Sequence, residues 1–171
     1  MSAVRIYLPS TLPSLTAAGV GSGQPLSQVE VAAVGSPAYA VTPSLREWYR
    51  EGDLDELEYA AMTRAGLASL RLLAQTGGDR RVVLAADVAD GAVAFDQGHD
   101  PAAVRVTDAV RFDQVVSAHV DDPSAVADVA AARVLVDAAD LGDDDAQFAI
   151  EGLEDHELQW YAVQEIAFLL R

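Results

Sequence analysis

The residue types best placed to do chemistry sit in the run His119-Val120-Asp121-Asp122. Alternation along a strand would set His119 and Asp121 on one face. A histidine beside carboxylates can act as a general base or, with added ligands, hold a metal ion. In an open α/β sheet, ligands gather in the crevice outside the carboxyl ends of the strands. Asp87, which follows the apolar run Val82-Val83-Leu84-Ala85-Ala86, would then join the cluster and suit metal-assisted hydrolysis. The plainer reading has Asp122 capping the next helix, Asp121 solvated and His119 filling a core edge, and the spacing favours it.

A second set of candidates is aromatic. Both tryptophans occur as Trp-Tyr pairs, Trp48-Tyr49 and Trp160-Tyr161, each expected on a helix, and Arg46 and Arg50 flank the first pair. Trp, Tyr and Arg dominate interface energetics, so Arg46, Trp48, Tyr49, Trp160 and Tyr161 are candidate binding residues, against ordinary core packing with an amphipathic edge.

Other motifs fail on spacing. Gly19-x-Gly21-x-Gly23 lacks the last glycine of a dinucleotide fingerprint, since Gln24 stands there, and reads as a flexible connection. His156-Glu157-Leu158-Gln159-Trp160 has Trp where a zinc-protease helix needs its second His. The span Asp140 to Glu151 has the length of a calcium loop, but Gly142 and Asp145 occupy positions that need an acid and a glycine. Asp143-Asp144-Asp145 is better suited to a helix N-terminus. No Gly-x-Ser-x-Gly elbow occurs.

Missing residue types exclude more. The 171 residues contain no Cys, and no Lys or Asn occurs either. Walker A and protein-kinase lysines, Schiff-base amines, thiol nucleophiles, Cys-ligated metals and N-glycosylation are therefore ruled out. Eleven basic residues against 27 acidic ones leave a net charge of −16. Between Val134 and Leu170 there are ten carboxylates and no Arg. Such a field repels phosphate backbones and anionic lipid, so neither nucleic acid nor a membrane is an expected partner. No motif asks for a cofactor or a metal, and the lack of an export signal points to the cytoplasm.

The elements needed to position these groups can be outlined. Val4, Ile6 and Leu8 alternate as a half-buried strand, a short helix follows Thr11, and a ragged strand is expected around Val29 to Val34. Ala38 to Val41 is a further strand. Pro43 with a Ser44-to-Glu47 capping box starts a short helix, and Asp53 with Glu56 opens a longer one to about Gln75. Its wide apolar surface implies contact on two sides. Val82 to Ala86, without alternation, is expected as the central strand covered on both faces. A loop spans Gln97 to Pro101, one or two strands lie between Val104 and Val120, and one helix runs from Asp122-Pro123 to about Leu141. A short helix over Asp143 to Ile150 and a final helix from Asp155 to Leu170 complete a single α/β domain over residues 1–171, with a mixed sheet of four or five strands.

The segments Arg-Ile-Tyr-Leu-Pro at 5–9, Val-Thr-Pro-Ser-Leu-Arg-Glu-Trp-Tyr at 41–49, Arg-Arg-Val-Val-Leu-Ala-Ala-Asp-Val at 80–88, His-Val-Asp-Asp at 119–122 and His-Glu-Leu-Gln-Trp-Tyr-Ala at 156–162 together resemble a small actinobacterial family of proteins of unknown function. The resemblance covers nearly the whole chain and brings no activity, cofactor or catalytic residue with it. The residues themselves leave two functions open. The first is a binding or regulatory module, with a protein or small-molecule ligand and homo-oligomeric assembly among its forms; the second is the metal-assisted hydrolase on His119, Asp121, Asp122 and Asp87.

Overall fold

The continuous apolar run behaves as its lack of alternation requires. In the computed structural model, which describes residues 2–96, 98 and 100–171, Val82 through Ala86 are all essentially fully buried. Gln97 and His99 of the expected loop lie outside the described residues. The run belongs to β4 (Val82–Ala89), flanked by β1 (Ala3–Ser10) and β8 (Val115–Asp121). β3 (Pro37–Ala40), β6 (Ala103–Val106) and β5 (Val93–Phe95) extend the sheet beyond β1, and β9 (Leu158–Ala162) closes the other edge.

The order is β5-β6-β3-β1-β4-β8-β9 and every neighbouring pair is antiparallel. The fold is therefore α/β as expected, but the sheet has seven strands, not four or five, and it is not mixed. The three-residue β5 carries too few alternating positions to register in the sequence, and β9 lies in a segment expected as helix, whereas β6 falls on the expected strand residues Val104 to Val106. A separate two-stranded ribbon pairs β2 (Glu30–Ala32) with β7 (Val110–Arg111).

Each face of the sheet has its own cover. On one, Ile6, Leu8, Leu84 and Val120 pack with Leu15 of α1 (Leu12–Ala18), the ribbon, and Ile166 of α7 (Ile166–Leu169). On the other, Tyr7, Val83 and Ala85 meet Leu45 of α2 (Pro43–Trp48) and Leu57, Ala61 and Ala65 of α3 (Leu54–Thr76). Further along α3, Leu70 and Leu73 pack on α4 (Val126–Arg133), α5 (Val136–Asp140) and Leu153, which gives α3 its two-sided contact. Ser69 ties α3 to the sheet through its buried hydroxyl, donating to the Ser10 carbonyl at 2.7 Å and accepting from the Val82 amide at 2.9 Å.

Local chemistry explains most boundaries. Asp53 caps α3 by accepting from the Glu56 amide, and Asp143 caps α6 (Asp144–Glu151) in the same way through Ala146. The cap of α2 is Thr42, whose hydroxyl accepts from Leu45, and not Ser44, because Pro43 takes the first helical position. Gly19 ends α1 with φ 101°, and Gly21 and Gly23 also have positive φ, so the glycine tract serves backbone geometry.

Two expected helices divide. Val134 and Leu135 separate α4 from α5. The final helix is instead β9, a 3-10 turn and the four-residue α7.

Candidate functional site

The antiparallel sheet separates the proposed hydrolytic residues. Because β4 and β8 run in opposite directions, the carboxyl end of β8 lies beside the amino end of β4. Asp121 therefore meets Arg81, while Asp87 lies six positions further along β4, about 20 Å away at strand rise. The shared crevice of an open parallel sheet does not form here.

Each residue has a different local task. Asp121, fully buried, accepts from the Arg81 amide at 2.7 Å and from its Nε and Nη2 at 2.9 and 2.8 Å. Arg81 Nη2 also donates to the carbonyls of Leu153 and His156, stapling the chain before β9 to the sheet. Asp122 caps the turn at Pro123 through the Ser124 amide, and hydrogen bonds from Ser124 lower its pKa. Asp87 is bridged by Arg5 at 2.5 and 3.1 Å. Among the described residues, no group of three or more His, Asp or Glu is gathered for a metal ion.

His119 is half-buried between Val83 and Trp160 in the ladder, with Nε2 3.3 Å from the Ser117 hydroxyl. Burial, reinforced by the charge of Arg5, lowers its pKa from the ordinary 6.5. A neutral imidazole could accept the Ser117 proton, but Ser117 is buried and a reacting carbonyl has no approach to it. Nearby, burial and the Glu58 carboxylate push the Tyr7 phenol up to about 12, so it remains a donor, 3.4 Å from Glu58 Oε2.

The lowered His119 pKa has a thermodynamic signature. Below 6.5 the unfolded chain takes up a proton that the folded chain resists, so stability declines as pH falls through that value and levels off below the folded-state pKa. His119→Gln should flatten this part of the profile in denaturant titrations at stepped pH. An unchanged profile would mean that His119 titrates as it does in the unfolded chain.

A concave surface lies elsewhere. A groove of about 690 Å³ is lined by the exposed side of α3, by the segment from Ile150 to Leu158, and by Tyr49 with the Arg64–Asp100 pair. Its size falls in the range of ligand-binding clefts. Met62, Leu67, Ile150 and Leu158 supply apolar surface over the buried Leu70 and Leu153, and Tyr59 adds an aromatic ring. Glu56, Glu151, Glu154 and Glu157 stand exposed along it.

Among the described residues, both arginines in the groove are already matched. Arg64 Nε lies 2.9 Å from Asp100, Arg81 is held by Asp121, and His156 Nε2 is 2.7 Å from Asp128. Among the described residues, none of the four glutamates has an ion-pair partner. The groove therefore presents uncompensated negative charge over an apolar floor.

The aromatic candidates divide around this groove. Tyr49 lines one end of it, and Trp48 beside it is 69% exposed at the end of α2, where Arg46 is exposed too. Trp160 and Tyr161 lie on a strand, not on a helix. Trp160 is 63% exposed and shares a strand face with Leu158, whereas Tyr161 points to the opposite face and packs against the core there.

Sequence reasoning did not find Tyr59, Met62, Leu67 or the glutamate row. One signal was available in Gly66. Glycine inside a helix costs about 1 kcal/mol relative to Ala, and a Cβ at Gly66 would meet only Leu158 and Arg81, at 3.6 and 3.9 Å. Gly66 is buried, so the glycine marks the place where the Leu158 segment crosses α3 at the base of the groove.

The model of a family of unknown function, DUF6912, matches residues 4–170, and the chain belongs to that family. No curated protein and no solved structure matches the chain.

Proposed function

We propose that this member of the family is a binding module and that its ligand enters the groove along α3. One observation carries the reading: a groove of ligand-cleft size whose apolar floor is rimmed by carboxylates that have no ion-pair partner among the described residues. Apolar surface supplies affinity and a few placed polar groups supply orientation. Tyr49 and Trp48 extend the surface at one end, which keeps the aromatic and Arg46 region within the same binding reading. The hydrolase reading draws less support, since Asp121, Asp122 and Asp87 each serve a separate contact.

Among the described residues no helix is long and apolar enough to cross a membrane, so the exposed aromatics are read as a docking surface and not as part of a span. A neutral polarity-sensitive dye such as Nile red is the probe for the groove. Its emission should rise with the wild-type protein and fall sharply with Leu67→Arg, a change at an exposed helix position that leaves the core intact. Equal emission from the two proteins would overturn the assignment of the groove.

A further inference from the structure

We infer that the occupant of the groove is a cationic amphipathic helix presented by a partner protein. This rests on the binding reading above and adds the chemistry of the ligand. Three features of the groove support it.

The first is charge. Among the described residues, both arginines of the lining, Arg64 and Arg81, are neutralised by a carboxylate of the same chain, whereas Glu151, Glu154 and Glu157 have no ion-pair partner. They follow one another at three-residue spacing along the segment that faces α3, from the end of α6 through a 3-10 turn to the residue before β9. Arginine or lysine at successive turns of a bound helix would meet such a row.

The second is shape. The α3 contribution runs from Glu56 to Leu70, about 21 Å of helix, the length of a partner helix of about four turns.

The third is the apolar floor, which a compact cation would leave uncovered but a leucine-rich stripe would fill. A second copy of this chain is a poor occupant, because each copy carries a net charge of −16 and has no lysine. Nucleic acid is repelled by the same field.

The test uses the full chain and two synthetic peptides of about sixteen residues with the same leucine stripe. One has arginines along one flank of the stripe; the other has glutamines there. Fluorescence anisotropy should show the arginine peptide binding on the order of tenfold more tightly, with the advantage shrinking as salt rises toward 1 M.

The combined Glu151→Gln, Glu154→Gln, Glu157→Gln variant changes only exposed side chains, so it keeps the fold, and it should erase the preference. Leu67→Arg, at an exposed position of the groove floor, should weaken both peptides by placing a charge where the leucine stripe would lie. If both peptides bind equally and both are blocked, the cationic preference is wrong and the groove reading stands. If neither binds, or if blocking has no effect, the helix-in-groove inference falls, and the dye experiment decides separately on the groove. Binding of the arginine peptide that survives the triple variant undiminished would also overturn the inference.

Discussion

Asp121→Ala is expected to lower folding stability by about 3–5 kcal/mol, the range for removing one member of a buried ion pair. Asp121 is fully buried and Arg81 nearly so, and the carboxylate accepts three hydrogen bonds from Arg81 alone. The variant would leave a guanidinium with no counter-charge and a buried main-chain amide with no acceptor. Urea titration should register the loss as a lower midpoint, and a cost below about 1 kcal/mol would show that water or another carboxylate reaches Arg81.

Replacing both partners by apolar residues should recover part of that loss, but not all of it. Such a pair removes the stranded charge, yet the Arg81 amide still lacks its acceptor and the Leu153 and His156 carbonyls lose their donor. Those carbonyls belong to the segment that walls the groove. The same substitutions should therefore loosen that wall and weaken binding there even in protein that remains folded.

Leu84→Ala is expected to cost about 2–5 kcal/mol, in the upper part of that range. The side chain is fully buried, and its strand is held in register by β1 and β8, with Leu8 and Ala118 directly opposite. A backbone pinned from both sides cannot collapse into the space left behind, so most of the cavity would persist. Ala85, on the other face, should behave in the reverse sense. It lies under α3 among Ala61, Ala65 and Ala102, all fully buried, where small side chains bring helix and sheet together. Ala85→Leu would force them apart and destabilise by overpacking. Thermal unfolding of the two variants separates these cases, and a Leu84→Ala midpoint equal to wild type would contradict the two-sided burial of β4.

The centre of the fold was legible because its physical signals are local. Unbroken apolarity at Val82 to Ala86 and alternation at Val4, Ile6 and Leu8 identify β4 and β1 directly. β9 was not legible. Leu158, Tyr161, Ile166 and Leu169 fall at helical spacing by coincidence, and nothing within the segment reveals that a sheet edge is available to it. The fate of Asp121 depended on strand direction, which its neighbours in sequence do not encode. The groove was hidden for a similar reason. Glu151, Glu154 and Glu157 become a wall only because Arg81, some seventy positions earlier, holds the intervening carbonyls.

β1 lies at the middle of the sheet, yet both of its partners follow it in the chain. Ala3 must find Ala89, Ser10 must find Val82, and Tyr7 must find Tyr39. On the ribosome this strand emerges before either partner: β3 follows after about thirty residues, but the border that β4 covers waits for about eighty with its amides and carbonyls bare. Synthesis therefore passes through an interval in which the nascent chain can pair wrongly, and chaperone cover matters most before β4 has cleared the exit tunnel.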